Sequence, residues 1–588
     1  MQRSVLLATD NLPQAQLNFS RATAALRRWP AWLLAALALA LAFYCVNVAH
    51  FGREPLRIEE NEWPPMAKAI YETGKPIIPF DKTHRLRFNQ DLTVDEGSMV
   101  GAWHPPLYLY TLAASMAVLG THSPYRLRLV GVAGLMAAIL LLFLIAREVT
   151  PRWRLVGGIA AILALIHPFA IQGSVFLDID PTIYAPLALL VVWLAIRYGK
   201  RPDTLGLPQI LAIAGAIALV TWAKMTTTID LLGVLVIWWL LARRPFRVAI
   251  LEAVSFVTIG LALFFSTYGL WCAVTNIPFS YTFQVTFVDK SNRLFSSWIY
   301  VEHAVHWHLR WIGAAVLLLI AAYLVDLVRS FLSARHLRPM DLPFLVGGAM
   351  LIQYVFLSPT DGTYQGKYAF PALLMLLLPI SWMLLRKPIA QRSAGRWVLA
   401  AGIALAAGLL VPDVLTGLAY LNVNYGNWTF EARIIFGVGA ALLLAWWLGG
   451  ERGFAGGVIL VTVALLLAQS IHSYRANTSP MYPIPDTADF NAAVNDLHQM
   501  VHKGQIVVAA KDMAFYVPGQ VIEGEDAFAR GDGLLAAAIR RYPQITAFGR
   551  DSFGPPVGPE TEAVLNECFT DQHVFGTASV VYRTKRCR

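Results

Sequence analysis

The sequence predicts an all-α polytopic membrane protein with a small α/β domain at its C-terminal end. Three observations carry that class. Hydrophobic residues make up 57% of the 588 and charged residues only 14%, whereas soluble domains carry about 25% charged residues. Apolar runs recur from Trp32 to Ile471, many of roughly 20 residues, the length at which a helix crosses a bilayer. From about Tyr474 the composition turns polar, and short helical and strand patterns alternate. The net charge of +10 is not a nucleic-acid signal, because excess Lys and Arg in a membrane protein belongs to cytoplasmic loops.

Lys and Arg in short loops orient the spans. Residues 1–30 form a polar segment with Arg21, Arg27 and Arg28 and no small-residue cleavage pattern, so the first span, about 31–50, reads as retained, with the N-terminus inside. Loop 51–125 is then outside. Span two, about 126–146, ends at the basic stretch Arg147 to Arg154. Span three, about 155–173, emerges at Asp178-Ile-Asp180, and span four, about 181–196, returns to Arg197-Tyr-Gly-Lys200-Arg201. Span five reaches Lys224, and span six descends to Arg243-Arg244. Spans seven to thirteen continue this alternation, with outer loops at about 271–308, 358–368 and 413–430, and the chain leaves the membrane after about 456–472. About thirteen spans result, forming a membrane domain over 31–473. Pro105 to Gly120 is apolar but only about 16 residues long and opens with Pro-Pro; it reads as an interfacial or re-entrant helix on the outer leaflet.

Residues 474–588 read as an extracytoplasmic domain. Asp486 or Thr487 can cap a helix with the apolar face Phe490, Val494, Leu497 and Val501. Strands are expected at Gln505 to Ala509, Ile545 to Phe548 and Ala578 to Tyr582, and helices at Leu534 to Arg541 and Pro559 to Cys568. Four cysteines are present. Cys45 and Cys272 are isolated; Cys568 and Cys587 can pair in an oxidising compartment or remain free thiols.

The chemistry-bearing residues gather outside. Glu59, Glu60 and Glu62 follow the first span. Three acids in four residues repel one another unless a cation compensates, so they form a general base or a divalent-cation site, or a solvated loop. Asp178 and Asp180 sit at the mouth of spans three and four, a costly place for acids, although Asp-Pro also caps a helix. Trp103-His104-Pro105-Pro106 makes a rigid turn whose His104 can meet a phosphate or serve as a hydrogen-bonding residue. Lys367 and Tyr368 open span ten, where a Lys snorkels or binds an anionic headgroup. His303, His306 and His308 suit a metal less well than an aromatic belt, given Trp298, Trp307 and Trp311. No phosphate loop ending in Lys-Ser/Thr is present, which argues against an ATP-driven pump.

In order, these residues resemble the GT-C glycosyltransferases. They are an acidic pair after span one, Met66-Ala67 through Gly74, a His104-Pro-Pro-Leu stretch, Arg126 and Arg128 opening span two, and an Asp-Pro before span four. They are most similar to the branch holding protein O-mannosyltransferases and the lipid A aminoarabinose transferase. The resemblance covers about 31–200, with a weaker match at Lys367-Tyr368-Ala-Phe-Pro371. It implies an outward-facing cavity among transmembrane helices in a bacterial inner membrane and a polyprenyl-phosphate-linked sugar donor, transferred with inversion to an extracytoplasmic acceptor. It puts the catalytic acids on Glu59, Glu60 and Asp180, substrate contacts on His104, Lys367, Tyr368, Arg126 and Asp178, and a possible Mg2+ or Mn2+ site on Glu59 and Asp180. Glu-Glu where the family has Asp-Glu is a departure. The reading from a different class is a multi-pass transporter or lipid flippase, which calls for charges within spans and internal repeats.

Overall fold

The computed structural model describes 30–54, 63–79, 97–120, 124–200, 203–242, 245–288, 312–356 and 369–385. It also describes positions 56, 60, 89 and 91–93, parts of 462–474, and 487–500, 506–509, 513, 520–523, 532–551, 558–576 and 579–587. Glu59, Glu62, His303, His306, His308, Lys367 and Tyr368 lie outside the described residues, as do the eleventh and twelfth expected spans.

The architecture is that of a multi-pass membrane protein. Among the described residues five helices are long and apolar enough to cross a bilayer, or six if one bent pair counts as a single span. The first, α1 (Ala31–Phe51), leads to the amphipathic α2 (Trp63–Thr73), a two-stranded hairpin of β1 (Ile77–Pro79) and β2 (Ser98–Val100), and α3 (Leu107–Leu119). Helix α3 forms where a short apolar helix was expected and has 13 residues, fewer than a bilayer crossing takes. It ends at Gly120, whose φ of 90° is a conformation L side chains avoid.

Helix α4 (Pro124–Val149) is a central post. Span three is not one straight helix, as its apolar length suggested. It runs as α5 (Trp153–Ile166) and α6 (Pro168–Ser174), bent by 72°. Pro168 supplies no N–H and disfavours helix at the residue before it, and His167 there is extended, with a ψ of 124°. Its Nδ1 accepts from Phe169 N at 3.1 Å, so the ring proton sits on Nε2 and is donated to Ile312 O at 3.0 Å. A π-helical turn, Asp180–Tyr184, then opens α7 (Ala185–Gly199).

Two apolar helices follow, α8 (Leu207–Ala223) and α9 (Met225–Ala242), joined by Lys224 alone. Next come α10 (Phe246–Thr275), α11 (Ala314–Ala334), α12 (Asp341–Phe356) and α13 (Ala369–Leu385). On α10, Leu251, Val254, Leu270 and Val274 are more than half exposed. A hydrophobic stripe of that length on a spanning helix faces lipid.

Beyond 486 the chain folds into a mixed five-stranded sheet, ordered β4 (Gln520–Glu523), β3 (Ile506–Ala509), β5 (Ile545–Asp551), β7 (Ser579–Lys585), β6 (Phe569–Phe575). Side chains alternate between the faces of a strand. Val507, Ala547 and Val581 therefore pack under α14 (Thr487–Met500) with Phe490 and Leu497. Val508, Phe548 and Tyr582 pack on the other face under α15 (Asp532–Arg541) and α16 (Pro559–Cys568). Cys568 and Cys587 form a disulfide. A turn between β1 and β2 reaches this domain. Leu92 packs against the cluster under α15, Arg541 donates to Asp91 O at 3.0 Å, and the Tyr542 hydroxyl donates to Leu92 O.

Candidate active site

The site forms where the chain turns between α6 and α7. Close backbone approach makes that turn possible. A Cβ on Gly131 would lie 2.2 Å from Ser174 O, and one on Gly134 would lie 2.1 Å from Thr182 O. Glycine at both positions lets α6 and the π turn lie directly on α4. Residues 175–180 are thereby held against the end of α4 that carries Arg128.

Arg128 and Glu60 are both buried, at 2% and 0% exposure. The guanidinium meets the carboxylate through both of its oxygens, Nε to Oε1 at 3.1 Å and Nη2 to Oε2 at 2.7 Å. Arg128 Nη1 also donates to the carbonyls of Phe51, Gly52 and Glu54. Glu60 in turn accepts from Leu177 N at 2.8 Å. One ion pair thus ties the end of α1, the post α4 and the turn carrying Asp178 together. The geometry makes Glu60 a brace of the site.

Asp178 and Asp180 are buried to 2% and 1% exposure. The sequence leaves Asp180 between a catalytic acid and a simple helix cap. Its side chain is engaged elsewhere: Oδ2 meets the Lys224 ammonium at 2.5 Å, and Oδ1 has no hydrogen-bond partner among the described residues. Lys224, itself buried, is extended between α8 and α9, with a φ of −159°, and that break in the helix lets its side chain reach the turn. Among the described residues the centre therefore brings the carboxyls of Glu60, Asp178 and Asp180 together with Arg128 and Lys224. Burial, and secondly the neighbouring Asp180 charge, push the Asp178 carboxyl from its ordinary value of 3.8 up to about 7, against the opposing pull of Lys224.

The His-Pro-Pro turn reaches this centre through Tyr108. Its buried phenol faces Asp178, Glu60 and Thr182. The Trp63 ring packs edge-on against Tyr108 at 5.3 Å and against Trp103 at 6.0 Å. His104 is half-buried in the turn, which is fastened from the far side: Thr282 donates to Ala102 O and Thr286 to Trp103 O, each at 2.6 Å. Arg126 is exposed and donates to Leu119 O at 2.7 Å. It closes the C-terminal end of α3 and stands apart from the buried centre, while Arg128, two residues on, is the arginine inside it. Sequence reasoning missed Lys224 and Tyr108 as site residues. A lone cation between two apolar runs was the signal for Lys224.

A divalent cation does not fit the described residues. No group of three or more His, Cys, Asp or Glu side chains gathers among them, and one of the two Asp180 oxygens holds an ammonium. Glu59, its expected co-ligand, lies outside the described residues.

No family model and no curated protein matches the sequence. Solved structures do match. ArnT from Cupriavidus metallidurans bound to undecaprenyl phosphate superposes with a TM-score of 0.59 at 15% identity, over 94% of this chain and 97% of that one. The chain has the GT-C fold. The apo state of the same ArnT gives a TM-score of 0.56 at 16% identity over the same shares. The archaeal oligosaccharyltransferase AglB from Archaeoglobus fulgidus, in complex with an inhibitory peptide and a dolichol-phosphate, gives 0.49 at 11% identity, over 95% of this chain and 74% of that one.

Proposed function

We propose that this protein is a membrane glycosyltransferase that moves a sugar from a polyprenyl-phosphate donor to an extracytoplasmic acceptor, in a bacterial inner membrane with the domain over 474–588 in the periplasm. The observation that carries the reading is the buried Asp178 carboxyl, pushed up to about 7 by burial and the neighbouring Asp180 charge, beside the Asp180–Lys224 pair. It sits on a fold shared along nearly the whole chain with a structure holding undecaprenyl phosphate.

The acceptor hydroxyl oxygen bonds to the anomeric carbon, the bond from that carbon to the phosphate oxygen breaks, and the hydroxyl proton passes to a carboxylate. A base works best with a pKa near the working pH, which favours Asp178. Glu59, adjacent in sequence to the brace Glu60, is the second candidate. Asp180 and Lys224 hold the turn and its charge balance. His104 and Lys367 are the groups proposed to steady the departing lipid phosphate, with Tyr368 beside them; Arg126, engaged at the end of α3, is a weaker choice.

The test uses purified protein in liposomes with undecaprenyl phosphate carrying a radiolabelled sugar, assayed against an envelope extract from the producing cell. Transfer by the wild type, abolished in Glu59→Gln or Asp178→Asn with folded protein retained, supports the reading. Full activity in both variants would sink the assignment of the proton acceptor, and a wild type that never releases bare undecaprenyl phosphate would sink the donor.

A further inference from the structure

A second group of polar atoms gathers around Tyr184, next to the Asp180–Lys224 pair. Tyr184, the last residue of the π turn, is 0% exposed, and its hydroxyl, close to those of Thr227 and Thr228, closes a well-aligned hydrogen bond with no described residue. Around that hydroxyl stand Asp180, Thr227, Thr228 and Asp230. Thr228 is committed, donating to Lys224 O at 2.6 Å. Three others have an atom that is buried and without a partner among the described residues: Asp180 Oδ1, Thr227 Oγ1 and Asp230 Oδ2. Thr227 and Asp230 are three residues apart in the first turns of α9, so they share a face. Asp230 is also the one charged residue in α9. An acid in a spanning helix is costly and marks a functional position.

Buried polar atoms are almost always satisfied, so orphans call for a ligand or water that completes them. Four on one wall constrain that ligand. The carboxylate oxygens accept only, while the phenol and the threonine hydroxyl donate and accept. Two carboxylates repel a phosphate, and an alkyl chain would leave every one of these atoms unsatisfied. What matches is a compact group rich in hydroxyls.

We propose that Tyr184, Thr227, Asp230 and the unengaged oxygen of Asp180 form a subsite that binds the hydroxyl groups of the donor's sugar. This rests on the donor class proposed above and adds which side chains read the sugar. Lys224 then stands between two regions: its ammonium holds Asp180 by one oxygen and leaves the other turned to the sugar.

The experiment measures binding to protein in nanodiscs. The probes are undecaprenyl phosphate and undecaprenyl phosphate carrying glucose, mannose or arabinose, and the variants are Tyr184→Phe, Thr227→Val and Asp230→Asn. The wild type is expected to bind at least one glycosylated lipid more tightly than the bare lipid phosphate. Each variant should lose that preference about tenfold or more while holding the bare lipid within about twofold of the wild type. In turnover, KM for the donor should rise more than kcat falls. Variants that keep the preference overturn the subsite. So do variants that weaken all the lipids equally, or fail to fold as a set, since a structural cluster would do that. A wild type that binds bare undecaprenyl phosphate but favours no glycosylated form overturns the subsite alone. One that binds none of the four lipids overturns the donor assignment with it.

Discussion

Replacing Arg128 with alanine should be the most damaging single change in the membrane domain. The guanidinium holds both oxygens of Glu60 and three backbone carbonyls, all buried. Removing it strands a carboxylate at 0% exposure. Breaking a buried ion pair from one side costs about 3–5 kcal/mol. The carbonyls of Phe51, Gly52 and Glu54 add about 1–3 kcal/mol each where water does not reach them, so the upper end applies. At about 1.4 kcal/mol per decade, the folded fraction at a fixed unfolding condition falls by roughly several thousandfold. Titration of the purified protein with sodium dodecyl sulfate in mixed micelles reads this directly. The double variant Glu60→Leu/Arg128→Met should recover much of the loss, because it leaves no uncompensated charge. If Arg128→Ala unfolds within about 1 kcal/mol of the wild type, or the double variant is worse than the single, the pair is not the brace described.

Three further outcomes follow from the same geometry. Gly134→Ala puts a methyl into Thr182 O, so stability should drop by about 1–3 kcal/mol and transfer should fall as the acid turn moves, read by melting and by turnover together. Asp178 sits near pH 7 in the folded protein and at 3.8 ordinarily, raised by burial and then by Asp180. Its contribution to stability is therefore complete below about pH 4 and lost as pH rises through about 7; the melting temperature should decline across that window, and less so in Asp178→Asn. Lys224→Met leaves Asp180 buried without its cation, and both stability and transfer should suffer, while Lys224→Arg should restore part of the stability in a melting assay.

Much of this was legible because apolar length and loop charge are strong signals. Helices Ala31–Phe51 and Pro124–Val149 fall where the hydrophobic runs put them, and the Pro-Pro opening marked Leu107–Leu119 as something other than a span. The amphipathic spacing at Phe490, Val494 and Leu497 gave a buried helix face. The site was legible by neighbourhood only. Asp178 and Asp180 stood out as acids between apolar runs, but their partners are set by packing between elements far apart in the chain. Arg128 rather than Arg126 enters the centre because two residues on a helix turn the side chain by about 200°, and nothing local says which face is inward. Lys224 was visible as a landmark, yet its value depends on a one-residue break between two helices that composition does not reveal. The bend at His167 had a signal in Pro168, overridden in the reading by the apolar length around it.

The contact between Leu92 and the C-terminal domain has a consequence in time. Leu92 lies in the loop between β1 and β2, and the tyrosine that receives it, Tyr542, lies 450 positions later in the chain. Contacts that far apart in sequence form late. During synthesis the loop therefore emerges with its apolar turn uncovered and stays so through the insertion of every membrane helix. Only when the last strands of the chain have folded can Leu92 be taken up. A protein shortened at its far end would carry the full set of helices and both acids of the turn, yet its loop between β1 and β2 would stay untethered. Limited proteolysis over 80–97 should then report on the C-terminal end of the chain: Leu92→Ala and a deletion of the last strand should both make that loop cut faster, while Arg128→Ala should not do so while the C-terminal domain remains folded.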